Sequence, residues 1–280
     1  MVDMRYLGRV LMRLPRSRRL VMFGAVLVLV GLTGQAAANT TPGRHEATAR
    51  PAASKPAAKP PAKPAKATPA KKPAVHKVGG PAGSRMTTGS KAVALTFDDG
   101  PDPAHTPQLL KLLAQQHVHA TFCLVGRNAE KFPALVRQIV AGGHTLCNHT
   151  WNHSLTLGKQ PPAQIKGDLA RTNAAIRKAA PNAKIKYFRA PGGNFTPRLV
   201  GVATQQGMTS LYWKVDPRDW DHPKGETHAQ HKSKVIWRVE KRTHAGSIVL
   251  SHDYAQPDTI AAYRKLIPWL KKRYTLVALP

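Results

Sequence analysis

Two adjacent carboxylates, Asp98 and Asp99, are the side chains of this sequence whose types and spacing point most directly to chemistry. They follow the apolar run 92–97 and precede Gly100 and Pro101, which predicts a buried strand that ends in a tight turn. Neighbouring carboxylates repel each other unless a positive group holds one of them. A metal ion bound to one acid would leave the other acid free to act as a base.

Four further polar groups follow predicted strands in the same way. They are His149 with His153, segment 189–193, segment 216–220, and Leu250 with His252. Two histidines four residues apart can share one ion if their segment forms a helical turn, with capping or solvation as the alternative. Arg189 can hold a carboxylate in its charged form, and the glycines that follow it let backbone amides approach a ligand.

The elements that must position these groups alternate between strand-like and helix-like segments. The predicted strands are 92–97, 120–125, 144–147, 185–189, 209–215, 247–251 and 274–278, and the predicted helices are 106–117, 130–141, 162–180, 197–206, 232–243 and 257–272. This alternation predicts an α/β fold, a (β/α) barrel of about seven parallel strands that is imperfectly closed. Polar residues at the carboxyl ends of barrel strands meet at one face, so we expect the five groups to form one site.

The five groups, in this order, resemble the motifs of the NodB-type polysaccharide deacetylases, the fourth family of carbohydrate esterases. The resemblance covers about residues 91–278 and rests on Asp-Asp, His-x-x-x-His, Arg-x-Pro-x-Gly, Asp-Trp and Leu-x-His. It implies a distorted (β/α) barrel, the NodB homology domain, with one divalent ion. That ion would be Zn²⁺, with Co²⁺ or another divalent ion as the alternative.

The resemblance also implies roles for the matching residues. Asp98 is similar to the family's general base, and His252 is similar to its general acid. Asp99, His149 and His153 resemble the metal ligands, a two-histidine, one-carboxylate set that leaves room for water and substrate.

Other matching residues resemble those that support the reaction. Arg189 would orient the base, and Asp219 would tune the catalytic histidine. Trp220 would form a wall of the sugar groove, and Leu250 would line the pocket for the acetyl methyl. Gly192 stands where the family often has Tyr, which keeps a backbone donor for the oxyanion and removes an aromatic edge.

Together the motifs predict metal-dependent hydrolysis of N-acetyl groups from β-1,4-linked N-acetylglucosamine polymers, either peptidoglycan or chitin oligosaccharides. O-Deacetylation of acetylated xylan is the nearest alternative, because the same site chemistry permits it. A non-catalytic glycan-binding module is a second alternative, against which the presence of both Asp98 and His252 argues. Nucleic-acid binding by the basic tail is a third.

The first 38 residues have the pattern of a secretory signal peptide. Six arginines precede the apolar run 20–32, and small residues suited to cleavage end at Ala38. The run is shorter than the roughly 20 residues of a membrane span. We therefore expect a secreted or cell-wall-associated protein, with an uncleaved anchor, twin-arginine export and a start at Met12 as open alternatives.

Residues 39–90 are rich in Pro, Ala and Lys and predict a solvated linker, followed by one deacetylase domain at 91–280. The formal net charge is +29, and about half of that excess lies in 92–280. A basic chain favours anionic partners, here an anionic wall polymer, although the linker is also explained as a tether. We expect a monomer that binds an N-acetylated glycan and no nucleic acid, because an exported protein does not meet it.

Two cysteines, Cys123 and Cys147, lie in neighbouring predicted strands. Export makes a disulfide chemically possible, but the phase of the strands is not visible in the sequence. A bridge and two buried free thiols therefore remain open. The histidines outside the motifs are predicted to be surface or helix residues without a role in a site: His117, His119, His222, His228, His231 and His244.

Overall fold

The computed structural model describes residues 79–280, so the predicted signal peptide and nearly all of the predicted linker lie outside the described residues. The strands are β1 (Val93–Asp98), β2 (Thr121–Leu124), β3 (Thr145–Asn148), β4 (Ile185–Phe188), β5 (Thr209–Ser210), β6 (Ile248–His252) and β7 (Leu276–Val277). The α-helices are α1 (Thr106–Gln115), α2 (Gly126–Lys131), α3 (Pro133–Ala141), α4 (Pro162–Ala179), α5 (Pro197–Gln205), α6 (His228–Arg242) and α7 (Pro257–Lys271).

The strands form one parallel sheet in the order β5-β4-β3-β2-β1-β6, and β7 also pairs with β1. The sheet curls into part of a barrel, and the predicted distorted (β/α) barrel is thus confirmed. Between the edge strands β5 and β6, the chain makes only isolated bridges within residues 79–280, including Val215 with Val249. This gap leaves the barrel incompletely closed.

Strand β1 lies between β2 and β6 and is buried along its whole length. Leu95 and Phe97 belong to the large core formed with the helices, where the ring centroids of Phe97 and Tyr263 of α7 are 5.1 Å apart. Ala94 belongs instead to a smaller apolar cluster inside the sheet. Because side chains alternate along a strand, Asp98 shares this inner face, and its position at the end of β1 places it at the mouth of the barrel.

Three predicted elements differ from the structure by more than two residues. The predicted helix 130–141 is two helices that meet at Phe132, because Pro133 disfavours a helical conformation in the residue before it. Helix α6 begins at His228, four residues early, because Thr227 and Gln230 form a capping box. The predicted strand 209–215 is regular only over β5, and beyond it the chain turns towards β6.

No helix within residues 79–280 has both the length and the apolar character needed to cross a bilayer.

Cys123 and Cys147 lie directly opposite each other on β2 and β3, and a disulfide joins them. Their Cα atoms are 4.1 Å apart, and both residues are buried. Of the two alternatives left open by the sequence, the structure contains the bridge.

Removing this disulfide should destabilise the fold measurably. The bridge closes a loop of 24 residues, so the double variant Cys123→Ala/Cys147→Ala should lose about 3 kcal/mol of unfolding free energy. Urea denaturation of the variant, of the oxidised chain and of the chain treated with reductant would measure this. The reduced chain should shift in the same direction, and an unchanged midpoint in both would show that the bridge does not constrain the unfolded chain.

Candidate active site

The carboxyl ends of the strands surround a cavity of about 380 Å³. Eight residues predicted for the site line it: Asp98, Asp99, His149, His153, Gly192, Trp220, Leu250 and His252. Two more, Arg189 and Asp219, are fully buried and make hydrogen bonds to Asp98 and His252. A larger surface groove of about 760 Å³ beside Trp237 contains none of these residues. The structure therefore brings all ten predicted residues to one place.

His149 and His153 both approach one carboxylate oxygen of Asp99. The Nε2 atoms of both histidines lie 3.3 Å from Oδ1 of Asp99. This oxygen is buried and has no hydrogen-bond partner within residues 79–280. Two ligands held 2.0–2.1 Å from a tetrahedral ion are about 3.3 Å apart, so the spacing of these atoms fits a zinc-sized ion.

The carboxylates around His149 give a second reason to expect a cation here. Its Nδ1 donates to the carbonyl of Arg189 at 2.8 Å, which leaves the Nε2 lone pair of the neutral ring facing Asp99. Burial alone would lower the pKa of His149, but the charges of Asp98 and Asp99 outweigh it and raise that pKa. The site therefore favours a positive charge, and His149 and His153 with Asp99 are the residues that could hold a divalent ion.

The segment between His149 and His153 does not form a helical turn. A helical turn was the conformation in which two histidines at this spacing were expected to share one ion. Thr150 and His153 have φ values of 64° and 60°, in the left-handed region. The Asn148 side chain fixes this turn by accepting a hydrogen bond from the Thr150 amide at 2.9 Å and donating one to the Leu169 carbonyl at 2.9 Å. The histidines meet through two sharp turns that the residue spacing alone does not specify.

Asp98 is held as a carboxylate by a buried guanidinium. Nη1 of Arg189 donates to Oδ1 of Asp98 at 2.7 Å and to the hydroxyl of Thr96 at 2.8 Å. Oδ2 of Asp98 lies 3.7 Å from Nε2 of His149. Because Arg189 occupies Oδ1, Oδ2 is the oxygen left to accept a proton from a group in the cavity.

His252 is prepared to donate a proton. Its Nδ1 and backbone amide both donate to Asp219, at 2.9 Å and 2.8 Å, and Thr259 donates to the same carboxylate at 2.6 Å. Burial alone would lower the pKa of His252, but the charge of Asp219 and this hydrogen bond raise the pKa to about 10. The raised pKa favours the protonated ring, in which Nε2 carries the proton that faces the cavity.

Replacing Asp219 with Asn should move the alkaline limb of the activity profile. Without the negative charge, the pKa of His252 falls, and the ring loses its proton at a lower pH. We expect the pH above which kcat/KM declines to drop by about 1–3 units. A pH profile of acetate release would measure this, with Asp221→Asn as the matched control, since Asp221 pairs with surface residue Arg218. An alkaline limb that stays in place would show that His252 is not the titrating acid.

The rim of the cavity contains residues that the motifs did not indicate. Leu155 and Trp213 line it, and Leu155 is 53 % exposed. Asp216, from the predicted segment 216–220, lines it as well. A Cβ added to Gly192 would lie 3.1 Å from the Leu155 side chain, so this loop residue crowds the space beside the glycine. Trp213 lies inside the predicted strand 209–215, so the search for polar residues after strands passed over it, and no sequence pattern marks Leu155.

The curled parallel sheet and the carboxylate–histidine cavity at its strand ends define an α/β-barrel protein with a candidate metal-binding site. The polysaccharide deacetylase family model matches residues 85–211. A chitooligosaccharide deacetylase of Sinorhizobium fredii is 36 % identical over 201 residues, which cover 68 % of this chain and 90 % of that protein. A peptidoglycan-N-acetylglucosamine deacetylase of Bacillus cereus is 36 % identical over 187 residues, 65 % of this chain and 83 % of that protein.

Among solved structures, a pseudoenzyme of carbohydrate esterase family 4 from Bacillus anthracis superposes with a TM-score of 0.61. It is 28 % identical, and the match covers 68 % of this chain and 64 % of that chain. The chain belongs to the polysaccharide deacetylase family. Because a pseudoenzyme has this fold as well, the residues of the cavity decide what can be proposed about activity.

Proposed function

We propose that this protein is a metal-dependent hydrolase that removes N-acetyl groups from β-1,4-linked N-acetylglucosamine polymers and releases acetate. The observation that carries the proposal is the pairing of two groups in one cavity. Asp98 is a carboxylate held by Arg189, and His252 is a histidine held in its protonated form by Asp219. A base that activates water and an acid that protonates the departing nitrogen, beside a set of residues that could hold a metal ion, suit the hydrolysis of an amide.

A divalent ion on Asp99, His149 and His153 would supply Lewis-acid polarisation of the acetyl carbonyl and would lower the pKa of bound water towards ~7. Asp98 accepts a proton at Oδ2 from the water that attacks the carbonyl carbon. His252 then donates the proton on Nε2 to the sugar nitrogen as the carbon–nitrogen bond breaks. The products are acetate and a free amino sugar.

The cavity wall supports an acetylated sugar as the substrate. Leu250 is 3 % exposed and provides an apolar surface for a methyl group. Trp220 is 45 % exposed at the rim, where an aromatic face can pack against a sugar ring. The names of the relatives from Sinorhizobium and Bacillus give chitooligosaccharide and peptidoglycan as the polymers on which those proteins act. We propose the same substrate class for this chain.

Acetate release by the full chain tests this function. N-Acetylglucosamine oligomers, peptidoglycan and acetylated xylan would be offered in parallel with added Zn²⁺. Release from the amino-sugar polymers supports the proposal. Release from xylan alone would overturn it in favour of an esterase, and release from none by a zinc-loaded chain would overturn it in favour of a glycan-binding module.

Removal of the metal should abolish the activity reversibly. Chelation followed by dialysis should lower acetate release at least 100-fold, because the ion is expected to supply several kcal/mol of charge stabilisation. Added Zn²⁺ or Co²⁺ should restore it in the wild-type chain and not in His149→Gln, whose ligand nitrogen is lost. Full activity in the chelated, metal-free chain would contradict the metal-dependent mechanism.

We also propose that the protein acts outside the cytoplasm, in the cell envelope. The basic, apolar and small-residue pattern of residues 1–38 supports export, and the Lys-rich linker supports attraction to anionic wall polymers. Fractionation of cells with sequencing of the mature amino terminus would test export. Binding to walls with and without their anionic polymer, at several salt concentrations, would test the attraction, which should weaken as salt rises.

A further inference from the structure

A second group of histidines lies outside the catalytic cavity, where the loop after Trp220 meets the first turns of α6 and α7. This second histidine cluster consists of His222, His231 and Asp258, whose ligand atoms all lie within 4.8 Å of one another. From the sequence alone, His231 is predicted to be a surface or helix residue. It does lie on α6, but it is 1 % exposed, because this turn of the helix packs against α7.

The side chains of the cluster are in direct contact with one another. Nδ1 of His231 lies 3.1 Å from Oδ2 of Asp258, and the ring centroids of His222 and His231 are 3.8 Å apart. Nε2 of His222 lies 2.9 Å from Oε1 of Gln256, so Nδ1 is the ring nitrogen that His222 has available. His228, whose side chain is exposed, places its Nδ1 3.0 Å from the same Oδ2. The donors that the cluster offers are imidazole nitrogens oriented by a carboxylate, and imidazole suits Zn²⁺ and its neighbours better than Mg²⁺ or Ca²⁺.

The second ring nitrogen of His231 is the observation that points to a ligand. Nε2 is buried and has no hydrogen-bond partner in the part of the chain that the structure describes. If Nδ1–H donates to Asp258, Nε2 is a buried lone pair without a donor, and if Nε2 carries the proton, it is a buried donor without an acceptor. Protonation of the ring does not resolve this, because the Nε2–H of a charged imidazole would still be unpartnered.

A cation at Nε2 satisfies this nitrogen. We propose that the second histidine cluster binds a divalent transition-metal ion, Zn²⁺ by its donor chemistry. His222 and His231 are the nitrogen ligands, and exposed His228 is available as a further one. Asp258 accepts from Nδ1 of His231 and so fixes the tautomer that leaves Nε2 free to bind the ion, as carboxylates do for histidine ligands.

The position of this ion gives it a structural role. His222 belongs to the loop that carries Asp219 and Trp220, while His231 and Asp258 belong to α6 and α7. Thr259, next to Asp258 on α7, donates to Asp219 at 2.6 Å. An ion shared by these elements would fasten the Asp219 loop to the two helices. By holding Asp219 in place, the ion would also support His252 in catalysis. That effect on catalysis rests on the proposed function, whereas the binding of the ion does not.

Metal stoichiometry tests the proposal independently of activity. The full chain, prepared without a histidine tag, would be equilibrated with Zn²⁺ and analysed for bound metal, and Co²⁺ absorption would report the coordination. We expect two ions per wild-type chain. One ion should remain in Asp99→Asn/His149→Gln/His153→Gln, which lacks the catalytic ligands.

His222→Gln should weaken binding of the second ion at least tenfold. This residue is exposed, so the variant should fold, and His244→Gln, which changes another exposed histidine, is the matched control. Addition of His222→Gln and His231→Gln to the triple variant should abolish the remaining ion. A folded triple variant that binds no metal would overturn the second site, as would a His222→Gln variant with unchanged affinity. Failure of the proposed function would appear separately, as a fully loaded wild-type chain that releases no acetate.

Discussion

Asp98→Asn should lower kcat for acetate release by about 10²–10⁴-fold. Asn has the shape of Asp and can still interact with Arg189, but its amide cannot accept a proton from the attacking water. Asp98 is not among the residues that converge on Oδ1 of Asp99, so the zinc content should be unchanged. Steady-state kinetics on an N-acetylglucosamine oligomer, with metal analysis of the same preparation, would measure both quantities.

The control for this prediction is Asp221→Asn, which removes a carboxylate from the surface outside the cavity and should retain wild-type activity. A second acid, Asp216, lines the same cavity. If Asp98→Asn keeps more than a tenth of the activity and Asp216→Asn does not, the base has been misassigned. Loss of zinc together with activity in Asp98→Asn would also contradict the assignment, because it would make Asp98 a ligand.

Arg189→Met should cause the largest loss of stability among single substitutions in the site. The Arg189 side chain is fully buried, and that of Asp98 is only 4 % exposed. Removing the guanidinium leaves a buried carboxylate without its countercharge, which costs about 3–5 kcal/mol. For a domain of this size, that corresponds to a decrease in Tm of roughly 6–20 °C. Calorimetry on the metal-free chain would measure it, so that a bound cation does not replace the missing charge.

The double variant Asp98→Asn/Arg189→Met distinguishes loss of the charge balance from loss of packing. Replacing both partners of a buried ion pair costs less than breaking the pair, so the double variant should be more stable than Arg189→Met alone. If the losses of unfolding free energy in the two single variants instead add up in the double variant, the guanidinium contributes through packing and its bond to Thr96 rather than through Asp98.

Local patterns in the sequence were sufficient to predict the fold and the composition of the site. The runs that became β1 to β7 are short, apolar and separated by helical segments, and this alternation commits a chain to parallel strands. Parallel strands place all their carboxyl ends on one face. The sequence alone therefore allowed one site to be predicted from Asp98, His149, Arg189 and His252. The identities of these residues then determined the type of chemistry.

The contacts between distant segments were decided only by the tertiary structure. Whether Cys123 and Cys147 are bridged depends on strand register, and the turn that joins His149 to His153 depends on a side chain of β3 that reaches α4. The second histidine cluster was missed for the same reason. His231 looks like an ordinary helix residue in the sequence, and its burial against Asp258 follows from the packing of two helices. Residue types and spacing along the chain specify which groups are available, whereas long-range packing decides which of them lose water and meet.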